Sequence, residues 1–243
     1  MSKFSVILAA AGKSSRFNDP KTKKTFIELH QKPVWLHSAQ RFWIRDDVEQ
    51  IILVISAEDR ASFEQQFSSE IETLQIVIVD GGAERADSVQ NGLNEVDPAC
   101  DFVVIHDAAR PCVWEEDIEN VFVAATISNA AILATPVSST LKRSKDGKVV
   151  DETVDRRSLW QAQTPQVFAR ELILGVYANR GGENPTDESQ LVEQAGHPVT
   201  LVPGSSQNIK ITTQADLGFA VACIDARLSA KLDGPVGNEN RLA

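Results

Sequence analysis

The chain has 243 residues, 34 acidic against 24 basic, for a formal net charge of −10. Its 42% apolar and 24% charged residues exclude a largely disordered chain, and its length, one large domain or two small ones, buries enough surface to fold without disulfides or a structural metal. The acidic balance argues against sequence-independent nucleic-acid binding, which needs a cationic face, but leaves an anionic small-molecule substrate open.

In chain order, Ser5–Ala9 (SVILA) is a continuous apolar run of the kind found in a strand covered on both faces. The polar, cationic segment that follows at once favours this reading over a signal peptide. Val34–Trp43 has apolar residues at helical spacing, and Ile51–Ile55 (IILVI) reads as the next strand, followed by a helix over Ala57–Phe67. Ile76–Val79 is a third strand with a helix at Arg85–Leu93. Phe102–Ile105 is a fourth strand with a helix at Asp117–Ile127, and Ala131–Thr135 is a fifth strand. This β-α rhythm predicts an α/β fold with a mostly parallel sheet and helices on both faces. Ligands of such sheets bind beyond the carboxyl ends of the strands, which directs attention to Ala10–Lys24, Asp80–Ser88 and His106–Pro111.

The rhythm breaks after Pro136. Leu141–Arg143 and Val149–Val154 flank a polar loop containing Asp146-Gly147, a hairpin signal. Neither arm is apolar enough for a core, so a projecting hairpin packed on a second subunit is expected. Helices follow near Glu171–Ala178 and Asp187–Gln194, then a strand at Val199–Val202. A last helix starts at Thr213, capped by Thr213 and Asp216. The aperiodic end, 233–243, is expected to be a disordered tail, leaving one domain over 1–232 with the hairpin arm at 137–158 inside it. No stretch approaches the roughly 20 apolar residues of a membrane span. Cys100, Cys112 and Cys223 form neither a disulfide framework nor a metal knuckle, which points to a reducing cytoplasm. His30, His37, His106 and His197 lack zinc spacing.

The strand-end loops carry the chemistry. Ala10-Ala11-Gly12 lets a ligand lie against the main chain. Gly12-Lys13-Ser14 is not a Walker A loop, because the glycine required five positions earlier is Ile7, and no G-x-G-x-x-G is present. Lys13–Lys24 holds five cations against one acid. It is either a phosphate-binding loop or an ordinary solvated one. Gly81-Gly82 before a helix start is either a close approach to a base or sugar or a plain tight turn. Asp107 at a strand end suits a divalent metal held by one carboxylate plus phosphates, or else simply closes a turn before Pro111. His106 reads as a histidine of the core or one that supports a site from behind.

These loops together resemble the 2-C-methyl-D-erythritol 4-phosphate cytidylyltransferases of the non-mevalonate isoprenoid pathway. The resemblance rests on Ala10-Ala11-Gly12-x-x-x-Arg16, Lys24-Thr25-Phe26-Ile27-Glu28-Leu29, Gly81-Gly82-x-x-Arg85-x-x-Ser88-Val89 and His106-Asp107-Ala108-Ala109-Arg110-Pro111. Thr153-Val154-Asp155-Arg156, Gln163-Thr164-Pro165-Gln166, Thr186-Asp187-Glu188 and Asn208-Ile209-Lys210 complete it, in family order from about residue 4 to 226.

The resemblance implies a single Rossmann-like domain with a β-hairpin dimerisation arm, acting on CTP and methylerythritol phosphate with Mg²⁺. It assigns Arg16, Lys24 and Lys210 to catalysis at the phosphates and Asp107 to the metal. Ala10, Ala11, Gly12, Gly82 and Ser88 are assigned to the cytidine, and Arg110 and Thr164 to the substrate site. Thr140 and Arg156, on the arm, would grip the acceptor bound mainly by the other subunit of a homodimer. The chain departs from the family at Ser14, Phe17 and Thr25, and Lys21 is an alternative to Lys24. Two other readings stand beside this one: a ribitol-5-phosphate cytidylyltransferase, which has similar loops, and a non-catalytic CTP-binding homologue. Nucleic acid and membrane are not expected partners.

Overall fold

In the computed structural model, which describes residues 1–12 and 26–232, the run expected at Ser5–Ala9 is an interior strand, β1 (Phe4–Ala9). After it come a short ladder of β2 (Glu28–Leu29) and β3 (Lys32–Pro33), α1 (Val34–Trp43), β4 (Val48–Ile55), α2 (Arg60–Gln66), α3 (Ser68–Thr73), β5 (Val77–Asp80) and α4 (Arg85–Leu93). Then follow β6 (Phe102–Asp107), α5 (Glu115–Ser128), β7 (Ala130–Pro136), β8 (Leu141–Arg143), β9 (Glu152–Val154), β10 (Trp160–Ala169), α6 (Arg170–Ala178), α7 (Glu188–Gln194), β11 (Thr200–Pro203) and α8 (Gln214–Leu232). The tail expected at 233–243 lies outside the described residues.

Seven strands form one sheet in the order β11-β7-β10-β6-β1-β4-β5. All run parallel except β10, which is antiparallel to both β6 and β7. The sheet is covered on both faces, as the β-α rhythm predicts. In β1, Phe4, Val6 and Leu8 join one apolar cluster while Ile7 joins the other, the two-residue period of a pleated strand. Side chains of α1, α2, α3 and α5 fill the first cluster, and those of α4, α6 and α7 the second. α8 packs separately, through Ala220 and Ile224, against Leu29, Val34, Cys112 and Trp114.

Three elements differ from expectation. β10 has no strand signal in the sequence, because the polar Gln161, Gln163, Thr164 and Gln166 break up its apolar residues and Pro165 interrupts the pattern; it is exposed over Trp160–Ala162 and buried from Gln163 to Phe168. The helix expected over Ala57–Phe67 ends at Gln66, and α3 starts one residue after Phe67, whose φ of −118° and ψ of 26° are not helical. Phe63 and Phe67 are nonetheless both buried in the core. The second arm of the hairpin, expected from Val149, begins only at Glu152. The Asp146 carboxylate accepts the backbone N–H groups of Lys148 (2.8 Å) and Val149 (2.9 Å), which closes the turn early and takes those donors from the ladder.

Candidate active site at the strand ends

The carboxyl ends of four parallel strands are stitched together by main-chain bonds. Ala10 N–H reaches the Val54 carbonyl (2.8 Å), Ala108 N–H the Ala9 carbonyl (3.1 Å) and Gly81 N–H the Ile55 carbonyl (2.6 Å). Gly81 lies against Ala11: a Cβ at Gly81 would stand 2.4 Å from the Ala11 Cβ, and one at Gly82 would stand 2.3 Å from the Asp87 Cβ. Glycine is therefore required at Gly81 for the turn after β5 to close on Ala11, and at Gly82 for it to close on the first turn of α4. The buried Ser88 hydroxyl accepts the Gly82 N–H (3.1 Å) and donates to the Glu84 carbonyl (3.1 Å), tying that turn to α4. Ala11, Gly82 and Ser88 are thus brought together, with Ala10 continuing the sheet beside them and Gly12 following.

Asp107, the last residue of β6, sits at the centre of a cationic cluster and is only 6% exposed. Its Oδ2 accepts from Lys210 Nζ at 2.9 Å and from Arg110 Nε at 3.3 Å. Arg85 stands on the other side, its terminal nitrogen 3.8 Å from Oδ1. Burial alone would raise the pKa of this carboxyl, but Lys210, Arg85 and Arg110 outweigh burial and hold it well below the usual carboxylate range. Asp107 is therefore ionised at neutral pH.

Two chain segments hold this cluster in place. The first is β10, whose register against β7 slips between Ala162 and Gln166. The slip turns Thr164 toward β6, where its buried hydroxyl accepts the Asp107 N–H (3.0 Å) and meets His106 Nδ1 (3.1 Å). His106 is fully buried, and burial pushes its pKa down to about 4, so the ring is neutral. The second is the segment before α8. Asn208 is buried and donates to the Thr164 carbonyl (2.9 Å), while its own carbonyl accepts from Arg110 (2.7 Å). Ile211 N–H reaches the Ala109 carbonyl (2.8 Å). Lys210 is in this way carried to Asp107 although more than a hundred residues separate them in sequence.

Sequence reasoning gave no role to Arg85 and Glu188, although both fall in the motifs quoted above. Glu188 lies in the first turn of α7 and is completely buried. Both of its carboxylate oxygens accept from Arg85, Oε2 at 2.9 Å, and Oε1 also accepts the Tyr177 hydroxyl at 3.2 Å. Burial would lower the Arg85 pKa, but Glu188 and Asp107 reverse this and raise it above its ordinary value.

Of the remaining candidates, Arg16 and Lys24, with the alternative Lys21, lie outside the described residues. Thr140 and Arg156 are exposed beside the β8–β9 hairpin. Arg156 donates to the Ser138 carbonyl. Among the described residues neither makes a hydrogen bond or ion pair with the Asp107 cluster.

The donors fit a divalent cation of the magnesium type. Asp107 offers an ionised carboxylate, and among the described residues no hydrogen bond reaches its Oδ1. The described residues contain no group of three metal-ligating side chains, so substrate phosphates would complete the shell, as magnesium prefers. Among the described residues, no helix is long and apolar enough to cross a membrane.

The family model for 2-C-methyl-D-erythritol 4-phosphate cytidylyltransferase (IspD) matches residues 4–226. A curated enzyme of that name from Rhodopirellula baltica is 44% identical over 233 residues, covering 91% of this chain and 94% of its own. Another from Clostridioides difficile is 40% identical, covering 89% and 92%. The crystal structure of 4-diphosphocytidyl-2C-methyl-D-erythritol synthase from Anaerococcus prevotii aligns with a TM-score of 0.78 at 31% identity, over 92% of this chain and 99% of that one.

Proposed function

The chain belongs to the 2-C-methyl-D-erythritol 4-phosphate cytidylyltransferase family, and from that premise we propose how its residues divide the reaction. It is a cytidylyltransferase of isoprenoid precursor biosynthesis: it transfers the cytidylyl group of CTP to 2-C-methyl-D-erythritol 4-phosphate and releases pyrophosphate. The observation that carries the assignment of the site is the cluster of Lys210, Arg110 and Arg85 around a buried, ionised Asp107 at the ligand end of the sheet.

The acceptor attacks through a phosphate oxygen that is already anionic, so no general base is needed. The difficulty is repulsion between two anions and the charge that grows on the departing pyrophosphate. Fixed cations answer both, by positioning and by electrostatic stabilisation. Lys210 supplies that charge from the segment before α8 and Arg110 from the segment after β6, and Arg16 and Lys24 add theirs. Ala10, Ala11, Gly12, Gly82 and Ser88 line the cytidine, where missing or small side chains bring the main chain close to the base and ribose. Asp107 would hold Mg²⁺ through its carboxylate, with the Thr164 hydroxyl fixing the Asp107 main chain. When bound there, the ion neutralises triphosphate charge.

The acceptor site is completed by a second copy of the chain. Thr140 and Arg156 sit at an exposed arm next to exposed Val149, Val150 and Trp160, which supports a homodimer in which each arm reaches the partner's acceptor phosphate. Residues 1–232 act as one nucleotidyltransferase domain with the arm at 137–158 inside it. A cytoplasmic setting fits the three free thiols Cys100, Cys112 and Cys223.

Pyrophosphate release from CTP and Mg²⁺, measured separately with methylerythritol phosphate and ribitol 5-phosphate, tests the reading. Turnover with the first acceptor is expected. Turnover with ribitol 5-phosphate alone, or CTP binding without turnover of either, would sink it.

A further inference from the structure

The carboxylate of Asp107 is shared unequally. Oδ2 takes Lys210 and Arg110, at 2.9 and 3.3 Å. Oδ1 faces Arg85 at 3.8 Å, beyond hydrogen-bond distance. An arginine is a permanent cation with a planar fork suited to binding a carboxylate through two nitrogens. Left to itself, Arg85 would close on Asp107 in that way.

What holds it back is Glu188. Both terminal nitrogens of Arg85 donate to Glu188, one to each oxygen, and paired bonds of this kind fix orientation as well as distance. Glu188 is itself held by the Tyr177 hydroxyl at 3.2 Å. It is fully buried, so a lost partner would leave a bare charge in a low-dielectric interior, which is strongly unfavourable. Arg85 is therefore anchored from the α7 side while its charge still faces Asp107.

We propose that Glu188 is a positioning residue for Asp107: by holding Arg85 it keeps Oδ1 open to the divalent cation that the site takes with its nucleotide. Arg85 then stands as a restrained neighbour of Asp107. Its charge helps keep the carboxyl ionised, while one N–H of each terminal nitrogen is committed to Glu188 and the fork is turned toward α7. The inference rests on the reading of Asp107 as the carboxylate of that cation.

Calorimetric titration of the full chain with CTP, with and without Mn²⁺, measures how far the cation tightens nucleotide binding. Glu188→Gln keeps the side-chain shape and removes the charge that holds Arg85. Arg85 is then expected to close on Asp107, and the tightening by Mn²⁺ falls by about ten- to a hundredfold, the range typical for losing the partner behind a metal ligand. Arg85→Gln combined with Glu188→Gln also removes the competing cation and leaves two amides able to pair with each other. In that double variant the tightening returns toward the native value. A purely structural role makes the double variant at least as impaired as the single one; that result in a double variant folded by circular dichroism overturns the proposal. Unchanged tightening in folded Glu188→Gln overturns it too. If Glu188→Gln does not fold, the double variant decides: near-native tightening supports the proposal and lost tightening refutes it. A native chain that binds CTP indifferently to Mn²⁺ overturns the assignment of the cation to Asp107, and this inference with it. Loss confined to the folded variants refutes neither the nucleotide reading nor the family.

Discussion

The strand ends around Asp107 and the β8–β9 arm hold arginine, threonine and an acid by opposite means. At the strand ends, Asp107, Thr164 and Arg110 are fixed by partners drawn from β10 and the segment before α8. On the arm, Arg157 pairs with Asp155 two residues away and Arg143 with Glu152 directly across the hairpin, and all four side chains are more than half exposed. The first region is preorganised by this chain alone. The second is shaped only locally, and it is the proposed homodimer that would complete it. Loss of a partner should therefore be severe at the strand ends and slight on the arm, except where the arm meets the acceptor.

The largest effect is expected at Asp107. Asp107→Asn keeps the shape and removes the one buried charge that three cations share. Turnover in the pyrophosphate assay is expected to fall by about 10²–10³-fold, the scale seen when one electrostatic partner of a transition state is lost. Turnover near the native rate would place the cation elsewhere.

The next effect is on stability. Neutral His106 can accept the Thr164 hydroxyl at Nδ1 and donate from Nε2 to the Arg110 carbonyl (3.2 Å). Its folded-state pKa of about 4 lies below its ordinary 6.5. The unfolded chain therefore binds a proton that the fold refuses, and stability falls as the pH drops from about 6.5 through 4. The expected loss is about 3 kcal/mol across that window. Urea unfolding at several pH values checks it, and His106→Gln should flatten this part of the dependence. An unchanged slope in that variant would mean that other groups carry it.

On the arm, Arg156→Ala is expected to raise the KM for the acceptor phosphate about tenfold or more, the value of one charge-assisted hydrogen bond. The KM for CTP and the thermal midpoint should stay as they are. Equal rises in both KM values would place Arg156 at the nucleotide instead.

How much of this was legible beforehand follows the same division. β1, β4, β6 and β7 announce themselves as apolar runs, because a strand covered on both faces needs no polar alternation. Asp107 was readable as an acid at a strand end, and the arm as an Asp-Gly turn between two polar strands. Thr164 was reached only by resemblance. Its place beside His106 comes from the register slip in β10, a strand whose interspersed polar residues and Pro165 hide it. The Arg85–Glu188 pair spans 103 residues and links two motifs that no local pattern connects. Pairings of this kind come from topology, whereas propensity speaks only of neighbours. The break between α2 and α3 was missed for a related reason: Phe63 and Phe67 keep helical spacing and share one core cluster even though the helix stops between them.

The smallest effect is expected for the arm's own ion pairs. Arg143 and Glu152 are 62% and 58% exposed, so water screens their attraction, and ordering two long side chains offsets much of it. Arg143→Ala should change the unfolding free energy by less than about 1 kcal/mol. The buried Glu188 is the contrast, since removing one member of such a pair typically costs about 3–5 kcal/mol. Melting curves of Arg143→Ala at several protein concentrations make the comparison sharp. A small, concentration-independent change fits an arm that carries chemistry without holding the protomer together. A large drop confined to dilute protein would instead make the pair part of the contact between subunits, and the arm would then stabilise the dimer as well as serve the acceptor.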